Sequence, residues 1–363
     1  MNNINPKSSD TPYSAKLRRY ARQMRYDKVG VEGQKKLAKS RIVLFGCGAL
    51  GTVLANTLVR AGVGYLRLCD RDFIEYDNLQ RQVLFDESDI AANLPKAQAA
   101  ANKLRVINSE VIVDPQVVDV NPTNIVELAR DADLLLDGTD NFETRFLIND
   151  LAVQSRRPWI YGAVIGATGL CMTIVPGRTP CLRCVFEEAP PPEMNPTCDT
   201  AGVLGPAVNM VASLQAIEAM KLLMGRTEEI NPHLVHLDVW TGRMMNMNVQ
   251  SAREAGACPC CVRGEFSFLE GKHAGVTTTL CGRDAVQVSP PARGGGNPGS
   301  IDFAAIAAKL AGVATAPIRH NRYMLRAQID PFEVTLFPDA RAIIKGTSDP
   351  AKARSLYAKY FGS

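Results

Sequence analysis

Residues 41–62 decide most of what this chain can fold into. A short apolar, β-branched run, Arg41–Phe45, leads directly into Gly46-Cys-Gly48-Ala-Leu-Gly51, and in residues 52–61 Val53, Leu54 and Leu58 recur at helical spacing before Gly62. In a strand–loop–helix of this kind the glycines let the backbone turn tightly and approach a phosphate. The helix start then offers that phosphate its partial positive charge. Nucleotide binding is implied as a class; the motif alone leaves a dinucleotide, ATP or an unliganded tight turn open.

Residues 16–264 continue the alternation of β-branched runs with helical patterns, the rhythm of a parallel sheet covered by helices. A second strand, Tyr65–Cys69, ends at Asp70. A third, 134–136, ends at Asp137 before Gly138-Thr-Asp140-Asn141. Ligands of open α/β sheets bind beyond the carboxyl ends of the strands, so Asp70 and Asp140 stand where a nucleotide would lie. The expected fold is α/β: a Rossmann-like, doubly wound, mostly parallel sheet. Gly138 and Gly162 read as backbone turns.

Residues 181–198 form a Pro-rich break (Pro190 to Pro192, then Pro196), read as a crossover loop before a helical run at 206–224. Beyond Gly264 come strand patterns at 277–288, 323–329 and 333–337, helices at 302–310 and Pro350–Tyr360, and a Gly-rich linker at 293–299. Residues 265–363 are therefore expected to be a small α+β domain. Residues 1–15 are polar, lack the apolar stretch of a secretory signal, and read as a disordered leader.

With 41 basic and 37 acidic residues the charge is too balanced to indicate nucleic acid, and only the Arg-rich run near Arg18 is dense. No apolar stretch approaches the roughly 20 residues that span a bilayer, so no membrane partner is expected. Of the ten cysteines, four fall in two C-x-x-C pairs, which fits metal or thiol chemistry in a reducing cytoplasm better than disulfides.

Cys181-x-x-Cys184 and Cys258-x-x-Cys261 have the spacing of a tetrathiolate zinc site with no open position. The long stretch between the pairs makes such a site a structural staple. Cys260 complicates the register, but only Cys258 with Cys261 keeps the x-x spacing; a thioredoxin-like redox role would need one pair, not two. Cys47, Cys69 and Cys171 read as core, and the four histidines show no metal-ligand spacing.

Asp70 meets the spacing of a ribose-binding acid, about twenty residues after the glycines. The segment it opens is unlike a dehydrogenase: Asp70-Arg-Asp72-Phe-Ile-Glu-Tyr-Asp-Asn78-Leu-Gln-Arg81-Gln82 sets amides and an arginine behind the aspartates, and Lys96 arrives at the next helix. Arginine and lysine together suit a triphosphate.

As a set, these motifs resemble the ThiF/MoeB/HesA family of ubiquitin-activating-enzyme-like adenylyltransferases. The set is Arg19-Tyr-Ala-Arg22-Gln, the Gly46–Gly51 loop, Asp70-x-Asp72 with Asn78-Leu-Gln-Arg81-Gln82, Pro95-Lys96, Asp137-Gly-Thr-Asp140-Asn141 and the paired C-x-x-C motifs. The resemblance covers about three quarters of the chain and implies use of ATP and Mg2+, with Zn2+ in the cysteine site. The reaction implied is adenylation of the C-terminal Gly-Gly carboxylate of a small ubiquitin-like sulfur-carrier protein (ThiS/MoaD-like) by a homodimer. By position, Gly46, Gly48 and Gly51 cradle the nucleotide, Asp70 binds ribose, Asn78, Arg81 and Lys96 hold phosphates, Asp140 helps hold magnesium, and Arg22 reaches the partner subunit's site.

Several of these residues keep a second reading. Arg22 reads alone as a surface charge, Asp140 as a helix N-cap, and Asp72 either orders the loop or touches the nucleotide. Cys198 matches the cysteine that in ThiF-like relatives forms a persulfide or acyl link, or it is structural. Compact family members end soon after the second cysteine pair, so residues 265–363 depart from the pattern; docking or screening of the carrier is the expectation for them. The alternatives are activation of a peptide or conjugated ubiquitin-like modifier and, supported only by the glycine loop and Asp70, an NAD-dependent dehydrogenase.

Overall fold

The computed structural model describes residues 16–188, 201–254, 256–272, 277–280, 284–288 and 301–361. The leader, the Pro-rich stretch with Cys198, Cys281 and the Gly-rich linker lie outside them. The described chain divides into two compact units, the larger running through residue 188 and from 203 to Lys272, the smaller from residue 277.

The larger unit is built on an eight-stranded sheet in the order β3-β2-β1-β4-β5-β6-β7-β8. β1 (Arg41–Phe45), β2 (Tyr65–Cys69), β3 (Ile112–Gln116), β4 (Leu134–Asp137) and β5 (Trp159–Ile165) run parallel. β6 (Thr168–Ile174), β7 (Leu234–Asp238) and β8 (Arg243–Met247) add antiparallel. Helices α1 (Ala21–Met24) and α2 (Gly30–Leu37) precede β1. Between and after the strands come α3 (Ala49–Ala61), α4 (Glu87–Ala91), α5 (Lys96–Ile107), α6 (Ile125–Leu128), α7 (Phe142–Ser155), α8 (Leu182–Val185) and α9 (Gly205–Leu223).

Period-two alternation along β1 sends Ile42 and Leu44 to one core, with Leu54, Leu104 and Val211. Val43 and Phe45 go to the opposite core, with Leu135, Phe146 and Trp159. Burial on both faces is why these strands read as continuous apolar runs. The doubly wound expectation therefore holds, with α3, α5 and α9 on one face and α7 on the other. The antiparallel half has a local cause: β5 and β6 form a hairpin through Gly166, at φ +59°, a left-handed turn that glycine adopts without strain.

Gly162 is not a turn. It lies inside β5, and a Cβ there would stand 2.4 Å from Cδ of Gln215 on α9, so its role is close strand–helix packing. The polypeptide of the larger unit runs past Gly264 because Phe266, Phe268 and Leu269 pack on the Phe146 core, and Asp150 accepts a hydrogen bond from the Phe268 N–H at 2.9 Å.

The smaller unit is a six-stranded sheet in the order β11-β12-β13-β14-β10-β9, with every described pairing antiparallel. Its strands are β9 (Thr277–Leu280), β10 (Ala285–Val288), β11 (Arg319–His320), β12 (Leu325–Ile329), β13 (Phe332–Leu336) and β14 (Ala342–Lys345). Helices Phe303–Leu310 and Pro350–Tyr360 share a core with Val286, Leu325, Val334 and Ile344, a small α+β domain as expected. Asp302 and Asp349 cap these helices, each accepting from two backbone N–H groups, so Asp302 stands before its helix rather than in it.

Candidate nucleotide-binding site

The strand order 3-2-1-4-5 puts a topological switch point between β1 and β4, and the candidate residues gather at the carboxyl ends of β1, β2 and β4. Loops after β1 and β4 are pressed together there. A Cβ on Gly46 would stand 2.5 Å from the Gly138 oxygen, one on Gly138 2.6 Å from the Gly46 oxygen, and one on Gly51 2.1 Å from the Gly46 oxygen. Gly46 also holds φ +89°. Three of the site's glycines are thus demanded by backbone contact. Gly48, the N-cap of α3, differs: a Cβ there would meet only the Gln82 amide, at 3.9 Å, so the start of α3 is open on that side.

Asp70 ends β2 and is bound from both sides, its carboxylate accepting from the Cys47 N–H at 2.6 Å and the Asp72 N–H at 2.7 Å. Burial first, and the neighbouring Asp72 charge second, push its carboxyl up; Lys96 and the two N–H groups pull the other way. Lys96, 4% exposed, opens α5 and donates to Asp72 at 3.3 Å, while its backbone N–H bonds the Asp72 carbonyl. The structure therefore brings Asp70, Asp72 and Lys96 together beside the glycine loop. Both readings of Asp72 hold in part: it orders the loop and neutralises the lysine.

Asn78 is buried and spends its amide on the loop, accepting from the Glu75 N–H and donating to Asp77. Arg81 donates to the Asp77 carbonyl at 2.6 Å. Asp140 is exposed in the loop after β4, close enough to interact electrostatically with Arg71 and Arg145. It is not the helix cap. Asn141 is, accepting from the Thr144 N–H at 2.8 Å, which leaves the Asp140 carboxylate clear of that duty.

Arg22 is not part of this cluster within its own chain. Its neighbours Tyr20 and Gln23 dock on the far end of α3: the Tyr20 ring fills the space beside Gly62, and Gln23 donates to the Ala61 carbonyl at 3.0 Å. Thirteen helical residues, about 18 Å at 1.5 Å each, separate that end from the glycine loop. Arg22 is exposed there, with no partner among the described residues.

Two features escaped the sequence reading. Asp137, fully buried at the end of β4, accepts from Arg145 at 3.0 Å and from the Thr139 N–H and hydroxyl at 2.8 and 2.7 Å; Arg145 also donates to the carbonyls of Thr139 and Gly162. Burial pushes the Asp137 carboxyl up, against the pull of Arg145. This network fixes the loop that carries Asp140. Gln82 is the other feature. An acid closing an apolar strand, with an arginine eight residues later on a helix, was the available signal for the first; nothing distinguished the second.

Sγ atoms of Cys181, Cys184, Cys258 and Cys261 all lie within 4.8 Å of one another. The separations of 3.6 Å (Cys181 to Cys258), 3.8 Å (Cys184 to Cys181) and 3.4 Å (Cys184 to Cys261) bracket the roughly 3.8 Å edge of a tetrahedron with 2.3 Å Zn–S bonds. The residues fit zinc. Cys260 stands apart, its sulfur accepting from Asn149 at 3.3 Å, while the Asn149 oxygen accepts from the Leu182 N–H. Cys47, Cys69 and Cys171 are buried core thiols, and burial raises each above the usual thiol range.

Compared with known proteins, residues 20–260 match the ThiF family. The chain belongs to that family. It is 43% identical over 346 residues, 95% of this chain and 99% of the relative, to the sulfur carrier protein ThiS adenylyltransferase of Bacillus subtilis strain 168. It is 37% identical over 250 residues, 68% of this chain and 90% of the relative, to the sulfur carrier protein adenylyltransferase of Thermus thermophilus. The first match takes in the smaller unit and the second is too short to do so, so that unit is an addition which the Bacillus relative shares. Escherichia coli MccB has the same fold, with a TM-score of 0.58 at 24% identity over 68% of this chain and 72% of that one.

Proposed function

We propose that this protein is an ATP-dependent adenylyltransferase that activates the C-terminal Gly-Gly carboxylate of a small ubiquitin-like sulfur-carrier protein. The observation that carries this reading is the junction of Asp70, Asp72 and Lys96 with the open start of α3, in a chain whose close relatives carry that activity in their names. A carboxylate oxygen of the carrier attacks the α-phosphorus of ATP; the bond to the bridging oxygen breaks, and pyrophosphate leaves with the electron pair. Both reactants are anions, so fixed cations must bring them together. Lys96 and Arg81 supply two. Asp140, exposed at the crevice, is the proposed ligand for Mg2+, which would supply further charge to the phosphates. Attack on phosphorus needs no enzyme thiol, so Cys198 is reserved for a later acyl or persulfide step. The smaller unit is proposed to dock the carrier.

The test is the intact mass of carrier proteins ending in Gly-Gly after incubation with the enzyme, ATP and magnesium. An AMP adduct on one carrier is expected and would name the pathway; no adduct on any, with ATP bound, moves the substrate to a peptide or conjugated modifier.

We further propose a homodimer in the cytoplasm. The placement of Arg22 about a helix length from its own glycine loop supports an arginine supplied across a subunit boundary. No described helix is long and apolar enough to cross a membrane. Mixing Arg22→Ala with Lys96→Ala protein should restore part of the activity that each lacks alone, because one site in a mixed dimer receives both intact groups. Absence of recovery would assign Arg22 elsewhere.

A further inference from the structure

We propose that Gln82 is a nucleotide-contacting residue, its carboxamide donating to a non-bridging phosphate oxygen of ATP at the start of α3. The inference rests on the adenylyltransferase reading for the identity of the anion, and on Gln82 itself for the contact. Gln82 comes directly after Arg81, with its backbone N–H bonded to the Asn78 carbonyl at 3.0 Å, so it is carried by the same turn that orders Asn78. Its side chain is 3% exposed, yet the amide oxygen is buried without a hydrogen-bond partner among the described residues. A buried carboxamide left in that state is costly, and a native structure keeps one where a ligand completes it.

Its direction is given by Gly48. The Gln82 Nε2 is the nearest group to the place where a Cβ on Gly48 would stand, 3.9 Å away, and Gly48 is the N-cap of the thirteen-residue α3. That end of the helix carries unpaired N–H groups and a positive partial charge. Asp70 accepts the Cys47 N–H, and the Thr52 N–H is used within the helix on the Gly48 carbonyl. An anion seated here thus meets the helix start on one side and a terminal amide on the other. With its oxygen unpaired, the amide is free to rotate about its last torsion and present N–H₂ to that anion. The donor is neutral, so it adds a hydrogen bond without altering the balance between Asp70, Asp72 and Lys96.

The test compares wild type, Gln82→Met and Gln82→Glu as full-length proteins, by calorimetric titration with ATP and magnesium, thermal unfolding without nucleotide, and AMP-adduct mass on the carrier. Methionine keeps the volume and removes the donor; ATP affinity should fall about 10-fold or more, as for loss of a hydrogen bond to a charged group. Glutamate sets a like charge against the phosphate and should weaken binding further. The nucleotide-free unfolding midpoint of Gln82→Met should stay level or rise, because an unsatisfied buried amide has been removed. ATP affinity within 2-fold of wild type in Gln82→Met, or an affinity loss that merely tracks a lower unfolding midpoint, would overturn the proposal. If wild type binds ATP but adenylates no carrier, the carrier reading fails while the ATP titrations still decide Gln82; failure of wild type to bind ATP would sink both.

Discussion

Carrier adenylation in Lys96→Ala is expected to fall by about 10² to 10³ or more, the range for removing one preorganised electrostatic group from a reaction centre. Lys96 is a buried ammonium whose side chain is held by Asp72 and whose backbone is held by the Asp72 carbonyl, so its position is fixed before any ligand arrives. Preorganisation makes the charge effective, because no reorientation is needed as charge shifts from the α-phosphate to pyrophosphate. Removing it also leaves Asp70 and Asp72 adjacent without a cation, and two carboxylates repel the triphosphate they should help to bind. Lys96→Met separates charge from packing, since methionine keeps most of the aliphatic stem. It should fold with an unfolding midpoint near that of wild type and still form almost no AMP adduct. Adduct formation within 10-fold of wild type in a folded Lys96→Met protein would remove Lys96 from the phosphate site.

The legible part of this site was the part made by local chain geometry. Gly46, Gly48 and Gly51 stand in one turn, Asp70 comes at a spacing set by a single helix and strand, and each C-x-x-C pair forms one knuckle. Residues that depend on contacts between distant segments were not legible. Asp137 and Arg145 meet only once the loop after β4 folds back over the start of α7, and nothing in the helical periodicity of 142–155 marks Arg145 as buried. Gly162 looked like a turn because glycine usually punctuates; here it answers the bulk of Gln215, far along the chain. Gln82 shares its sequence neighbourhood with Arg81, and only burial without a partner sets it apart. Arg22 is the converse case: the motif was readable, and the fold places it away from the site of its own chain.

The second large effect concerns the cysteine cluster. One zinc per chain is expected by metal analysis, and Cys184→Ser should lose it, with a stability loss of about 5 kcal/mol or more, the scale at which loss of a structural metal stands out among point mutations. At about 2–4 °C per kcal/mol for a unit of this size, the unfolding midpoint falls by about 10–20 °C. The loops joined by the metal explain the size. One lies between β6 and α8, the other after β8, and what otherwise ties them is a short set of bonds: Asn149 on the Leu182 N–H and the Cys260 sulfur, and Asp150 on the Phe268 and Leu269 N–H groups. All of these start from α7, which also presents Arg145 to Asp137. Loss of the metal should therefore loosen residues 257–272 first, seen as faster amide exchange, and weaken adenylation through α7 without touching the nucleotide. Cys260→Ser is the control. Its sulfur is held by Asn149 and is not among the four that fit the tetrahedron, so this variant should retain one zinc; loss of zinc in Cys260→Ser with retention in Cys261→Ser would reassign the fourth ligand.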